Sequence, residues 1–227
     1  MTDDASMMTD TVFLFDCDNT LLDNDAVQAD LRAHLVEKFG EGDAAVYWEI
    51  YEELRSELGY ADYLGALQRY RDRVFDEPNL LLMSSYLVDY PFERRLYPRS
   101  LEALARARQS GPTVILTDGD VVFQPRKIQR SGLWDAVEGR VLVYVHKEKS
   151  LDDLEKRFPA RRYVMVDDKV RILAAMKAVM GERLFTVFPK QGHYAFDQAE
   201  VARYPKPDLE VASIGELAQI DWERVLK

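Results

Sequence analysis

Val12-Phe13-Leu14-Phe15-Asp16-Cys17-Asp18-Asn19-Thr20 is the stretch that decides the fold of this chain. A short unbroken apolar run ends in aspartates at positions i and i+2. Such a run reads as a strand buried on both faces, the kind found in parallel sheets covered by helices. In open α/β sheets, ligands bind beyond the carboxyl ends of the strands, where this acidic turn falls. Two carboxylates there are costly without compensation, because unpaired buried acids take up protons or destabilise the fold. A bound divalent cation is the natural compensation.

The same pattern recurs along the chain. Thr113–Leu116, Val141–Val145, Tyr163–Val166 and Leu184–Phe188 are further short, mostly apolar runs rich in β-branched or aromatic residues. Helical patterns lie between the later ones. Leu101–Gln109 is closed by Gly111-Pro112, and Val170–Met180 is ended by Gly181. Ser150–Arg157 opens on Ser150 with Asp153 three positions later, much like a capping box. The alternation predicts an α/β fold with a Rossmann-like parallel sheet. Leu209–Ser213, after the loop marked by Pro205 and Pro207, reads as a last edge strand.

From Asp23 to about Phe92 the rhythm changes. No strand run occurs, and helical periods cover Ala26–Phe39, Ala44–Leu58, Ala61–Phe75 and Leu80–Leu87, punctuated by Gly40, Gly42, Gly59 and Pro78. This is too much helix for one crossover. It predicts a core of residues 10–23 and 93–227 with an inserted all-helical cap over 24–92, connected near Asp23–Asp25 and near Pro91–Pro98.

Composition narrows the partners. The 227 residues are 47% hydrophobic and 31% charged, as in ordinary globular proteins, and carry a net charge of −10. So acidic a surface repels a phosphodiester backbone, so no nucleic acid is expected, whereas a local cation can still attract small phosphorylated molecules. The single cysteine, Cys17, cannot form an intrachain disulfide and fits a reducing compartment. The first apolar run stops at Asp16, too short for a signal peptide or a membrane span, so a cytoplasmic monomer or homodimer without membrane contact is expected.

Three more strand ends carry chemistry. Asp167-Asp168 follows Tyr163–Val166, and the two acidic pairs suit one hard cation such as Mg²⁺, which keeps open positions for water and phosphate oxygens. Thr117-Asp118-Gly119-Asp120 offers a hydroxyl and turn N–H groups to phosphate. His146-Lys147-Glu148-Lys149 offers a cation, with Lys147 nearer the strand end than Lys149. His146 and His193 read as packed or surface residues, and Cys17, pointing away from its neighbours, as core filling.

In this order the four segments resemble the motifs of the haloacid dehalogenase superfamily, over residues from about 12 to 190. Asp16-x-Asp18-x-Thr20 is similar to the first motif, Thr117 to the second, Lys147 (or Lys149) to the third and Asp167-Asp168 to the fourth. The insert resembles a C1-type cap, and Leu96-Tyr97-Pro98 the return to the core, with Arg99 where many members have Gly. The resemblance implies a phosphatase in which Asp16 attacks phosphorus and Asp18 serves as acid and then base. It also implies that Thr117, Asp118 and Lys147 bind phosphate and that Asp16, the Asp18 backbone carbonyl and Asp167 hold Mg²⁺, with Asp168 in support.

Asp18 argues for phosphate esters within that superfamily, since members that release halide lack this acid and phosphonate-cleaving members replace it. The latter also need a cap lysine, and residues 24–92 hold only Lys38. A phosphotransferase or phosphomutase, or a non-catalytic binding protein of the same fold, are the alternatives. Among the cap's aromatic and basic residues, most of which pack helices, Arg55, Tyr60 and Tyr63 are expected to face a small phosphorylated metabolite.

Overall fold

The apolar run ending at Asp16 lies in the middle of the sheet. A computed structural model describes residues 8–73 and 77–227. Within these, six strands form one parallel sheet: β1 (Thr9–Phe15), β2 (Thr113–Asp118), β3 (Val141–Tyr144), β4 (Ala160–Val166), β5 (Leu184–Pro189) and β6 (Leu209–Val211). Their spatial order is β3-β2-β1-β4-β5-β6. The order reverses direction at β1, so the gap between the ends of β1 and β4 is the switch point where such sheets bind ligands. Phe15 pairs with Val166, so Asp16 and Asp167 leave the sheet side by side.

Side chains alternate across β1. Phe13 and Phe15 enter one core layer, Val12 and Leu14 the other. The first layer is closed by α4 (Ser100–Arg108), α5 (Phe123–Arg130), α6 (Leu133–Ala136) and the C-terminal α11 (Trp222–Val225); the second by α7 (Leu151–Arg157) and α8 (Val170–Met180). Between β1 and β2 lie α1 (Asn24–Leu58), α2 (Tyr63–Tyr70) and α3 (Glu77–Asp89). The short helices α9 (Gly192–Phe196) and α10 (Gln198–Val201) follow β5. None of the described helices is long and apolar enough to cross a membrane.

Most boundaries agree with the sequence pattern. α1 is broken at Gly40 (φ 80°, ψ 167°), between the two expected helical periods. The way out and the way back run side by side: Leu22 bridges Leu96, and the Asp23 N–H donates to the Arg95 carbonyl at 2.7 Å. Arg99 adopts φ 67°, ψ 15°, the left-handed conformation in which glycine is at ease, at a cost of about 1 kcal/mol to a side chain with a Cβ.

Four features differ. The helix expected over Ala61–Phe75 is α2, ending at Tyr70, and Phe75 lies outside the described residues. No capping box forms at Ser150: its hydroxyl donates to the His146 carbonyl (3.2 Å), while Asp153 accepts from Tyr144 Oη (2.5 Å) and Arg157 Nε (2.8 Å). The run expected to extend to Val145 leaves the sheet after Tyr144. Finally, α5 and α6 lie in a stretch for which no helix is expected above. Pro125 sits in the first turn of α5, where its missing N–H has no helical partner to lose.

The C-terminal segment belongs to the core. Trp222 is fully buried and packs edge-on against Phe13 at 5.0 Å. Trp222→Ala is expected to lower unfolding free energy by about 3–5 kcal/mol, read from the urea midpoint at unchanged m-value. A loss below about 1 kcal/mol would show the segment to be peripheral.

Candidate active site

Register brings the acids together. Asp16, Asp167 and Asp168 are buried at the ends of β1 and β4, with one carboxylate oxygen from each lying within 4.8 Å of the others. Backbone bonds fix this part of the site. The Asp16 N–H donates to the Val166 carbonyl (2.9 Å), the Asp168 N–H to Thr20 Oγ1 (3.0 Å), and the Lys169 N–H to Asp167 Oδ1 (2.8 Å).

Lys147 enters this group from the turn after β3. Its Nζ donates to Asp16 Oδ1 and lies 2.7 Å from Asp167 Oδ2, and it is 1% exposed. Lys149 is exposed on the surface, so of the two lysines it is Lys147 that meets the acids. Burial alone would lower its pKa, but Asp16, Asp167 and Asp118 outweigh that and raise it, so the ammonium persists.

The ammoniums of Lys147 and Lys169 do not balance three carboxylates. Asp16 Oδ2 and both Asp168 oxygens are buried without a hydrogen-bond partner. Burial pushes Asp167 up to about 6, Lys147 opposing and Asp16 reinforcing the shift, and burial raises Asp168 as well. Hard-ligand oxygens, one from each of the three buried and undercompensated aspartates, lie close enough together to fit a divalent cation.

The Asp18 side chain is not part of this triad. Its Oδ1 is 2.7 Å from Lys127 Nζ and its Oδ2 is 3.2 Å from Gln124 Nε2, both on α5. The third carboxylate of the group that could hold a metal is that of Asp168. Thr117 is buried, its hydroxyl accepting from Gln124 Nε2 at 3.1 Å. Asp118 Oδ1 accepts from the Lys147 N–H at 2.7 Å, and burial raises its pKa against the pull of Lys147.

A cleft of about 730 Å³ opens between these strand ends and the insert. Asp18, Asp118, Arg55 and Tyr60 line it, as do Asn24, Lys169 and Tyr194. Arg55 Nη2 donates to Tyr194 Oη at 2.7 Å, joining insert to core. Tyr63, expected to face the substrate, is buried and does not line the cleft: it is stacked on Tyr51 (4.9 Å) and tilted against Phe123 (5.1 Å), with its hydroxyl near Asn24 and Asp18. His146 and His193, read as packed or surface residues, both border the cleft, and His193 Nδ1 lies 2.6 Å from Asp25 Oδ1. Cys17 is fully buried, as core filling, and burial raises its thiol pKa.

Gln124, Lys127 and Lys169 escaped the sequence reading. The first two lie on α5, whose inward face is polar, and Lys169 directly follows the acidic pair Asp167-Asp168. Helix recognition over 123–130 would have placed Gln124 and Lys127 one turn apart, beyond the Thr117 turn.

Comparison with known proteins agrees with this layout. Residues 11–179 match the family model of the haloacid dehalogenase-like hydrolases. A haloacid dehalogenase-like hydrolase from Burkholderia xenovorans LB400 has a crystal structure of 65% sequence identity and TM-score 0.88, the match covering 94% of this chain and 99% of that one. The L-2-haloacid dehalogenase of Xanthobacter autotrophicus (19% identity, TM-score 0.62, 93% and 98% covered) shares the fold. So does a HAD-hydrolase of Bacillus subtilis bound to magnesium (18%, 0.61, 92% and 97%). A search among curated proteins found no match. The fold is a Rossmann-like parallel α/β sheet, and the acid cluster lies at its switch point. The chain belongs to the haloacid dehalogenase-like hydrolase family.

The triad makes stability depend on pH and metal together. Burial pushes the Asp167 carboxyl from its ordinary value of 3.8 up to about 6, so between these values the metal-free folded chain keeps a proton that the unfolded chain has released. Stability of the metal-free protein should fall as pH rises through that window. Magnesium at about 100 times its Kd should add about 2.7 kcal/mol near neutral pH, a Tm increase of about 5–10 °C, and less near pH 5. Calorimetry with MgCl₂ and with EDTA checks this; a Tm indifferent to magnesium near neutral pH would exclude the site.

Proposed function

We propose that the chain is a Mg²⁺-dependent phosphomonoesterase that acts on a small phosphorylated metabolite through an aspartyl-phosphate on Asp16. The observation that carries this reading is Asp18. Its carboxylate borders the cleft two residues after the buried Asp16, held out of the acid triad. A halide leaves without a proton; an alkoxide does not, and needs an acid at that place. The likeness to dehalogenases at 19% identity bears on the fold alone.

In the first step an Asp16 oxygen attacks phosphorus while the bond to the ester oxygen breaks, and protonated Asp18 gives its proton to the leaving alkoxide. In the second, water attacks phosphorus, Asp18 takes its proton, and the bond to Asp16 breaks, returning the carboxylate and releasing phosphate. Lys147 and Thr117 hold the non-bridging oxygens, with Asp118 fixing the Lys147 backbone. Asp16, Asp167, Asp168 and the Asp18 carbonyl would hold Mg²⁺, which supplies charge neutralisation between two anions. The insert over 24–92 acts as a C1-type cap on a core of 10–23 and 93–227, and Arg55 and Tyr60 contact the leaving group.

The test is a panel of sugar phosphates, nucleoside monophosphates, phosphoamino acids, phosphoglycolate and 2-haloalkanoic acids, with Mg²⁺ and with EDTA. Mg²⁺-dependent phosphate release from one or a few compounds is expected, and Asp16→Asn should cut kcat by about 10⁴-fold or more with the circular-dichroism spectrum retained. Halide release without phosphate release would overturn the reading.

A further inference from the structure

Lysine is almost never fully buried unless paired, yet Lys127 is 1% exposed. Its Nζ meets Asp18 Oδ1 at 2.7 Å and Asn24 Oδ1 at 3.1 Å. Packing alone does not explain it, since a methionine would fill the space without the cost of burying an ammonium. Its acidic partner is a quarter exposed and borders the cleft, so the pair is not an internal tie remote from the chemistry.

We propose that Lys127 and Gln124, one turn apart on α5, are positioning residues that aim the Asp18 carboxylate and fasten it to the root of the insert. Each carboxylate oxygen has its own donor from α5: Oδ1 has Lys127 and Oδ2 has Gln124, whose amide also reaches Thr117 Oγ1 at 3.1 Å. Turning the carboxylate therefore breaks two bonds at once. Without them, Asp18, only two residues from Asp16, would be free to turn towards a cation held by the acids. α5 thus reserves Asp18 for the leaving group. The third contact, Asn24, is the first residue of α1, so displacement of the insert's root is felt at Asp18 through a single ammonium.

The role given to Asp18 rests on the phosphatase reading; the aiming of its carboxylate does not. The experiment is a double-mutant cycle of Lys127→Met with Asp18→Asn, followed as kcat/KM on an alkyl phosphate and on p-nitrophenyl phosphate, together with a crystal structure of Lys127→Met. Lys127→Met is expected to lower kcat/KM about tenfold or more on the alkyl ester and less than about threefold on the aryl ester, whose leaving group needs little protonation. Added to Asp18→Asn it should cost nothing further, because it acts through that residue. In the crystal structure the Asp18 carboxylate should have left α5. Equal losses on both esters, additive with Asp18→Asn and with Asp18 unmoved, would overturn the proposal. If the wild-type protein hydrolyses neither ester but Asp18 has moved in the variant, the phosphatase reading fails and the aiming stands. Should Lys127→Met not fold, Lys127→Gln, which keeps a donor without the charge, carries the same comparison.

Discussion

The buried ammonium of Lys147 is the interaction on which the site depends. Three aspartates, each 3% exposed or less, crowd the ends of two adjacent strands. Without an internal cation, several would have to be protonated or the strand ends would separate. Lys147 reaches them only because β3 lies on the far side of β2 and its following turn folds back over β2, a placement held by the bond from its N–H to Asp118. Strand order, register and turn geometry thus converge on one nitrogen atom.

The same turn that carries the acids also anchors the helical insert. Asn19 sits at φ 60°, and its side-chain oxygen accepts from the N–H groups of Asn24 and Asp25, the first turn of α1. Gln191 braces the turn from the other side, donating to the carbonyl of Thr20 at 2.7 Å. Gly192 must stay small there, because a Cβ would lie 2.5 Å from that of Asn19. Any reorientation of the insert begins within a few bonds of Asp16 and Asp18. That proximity gives α5 a mechanical role, since Lys127 holds the acid and the root of the insert together.

What could be read from sequence divides along physical lines. Buried parallel strands are legible because both faces are apolar, so β1, β2, β4 and β5 appear as short runs and the acids at their ends stand out. The break in α1 was legible because Gly40 punctuates a clear helical period. α5 was hidden: its buried positions include Gln124 and Lys127, so its inward face does not read as apolar, and Pro125 imitates a stop. Those polar residues are buried against Asp18, Asn24 and Thr117 rather than among apolar side chains, which is why hydrophobic periodicity misses them. Tyr63 shows the converse: its ring packs on Tyr51 and Phe123, and composition does not reveal that only its hydroxyl comes near Asp18.

Charge sets the last constraint. The chain carries −10 overall, and its candidate site adds three buried acids beside Asp18 and Asp118. A phosphate dianion entering such a field would be repelled unless attraction were local. Two cations face the acids directly, Lys147 within the triad and Lys169 at the cleft, where Asp168, Asp16 and Asp167 outweigh the burial that would lower its pKa. Lys127 is committed to Asp18 and Asn24 and is not free to bind phosphate. On the proposed reading, the two remaining lysines are already matched by the acids, so a divalent cation is a condition for substrate binding as well as for chemistry. The acidity thereby becomes a filter on that reading: only an anion small enough to reach the strand ends meets the positive charge.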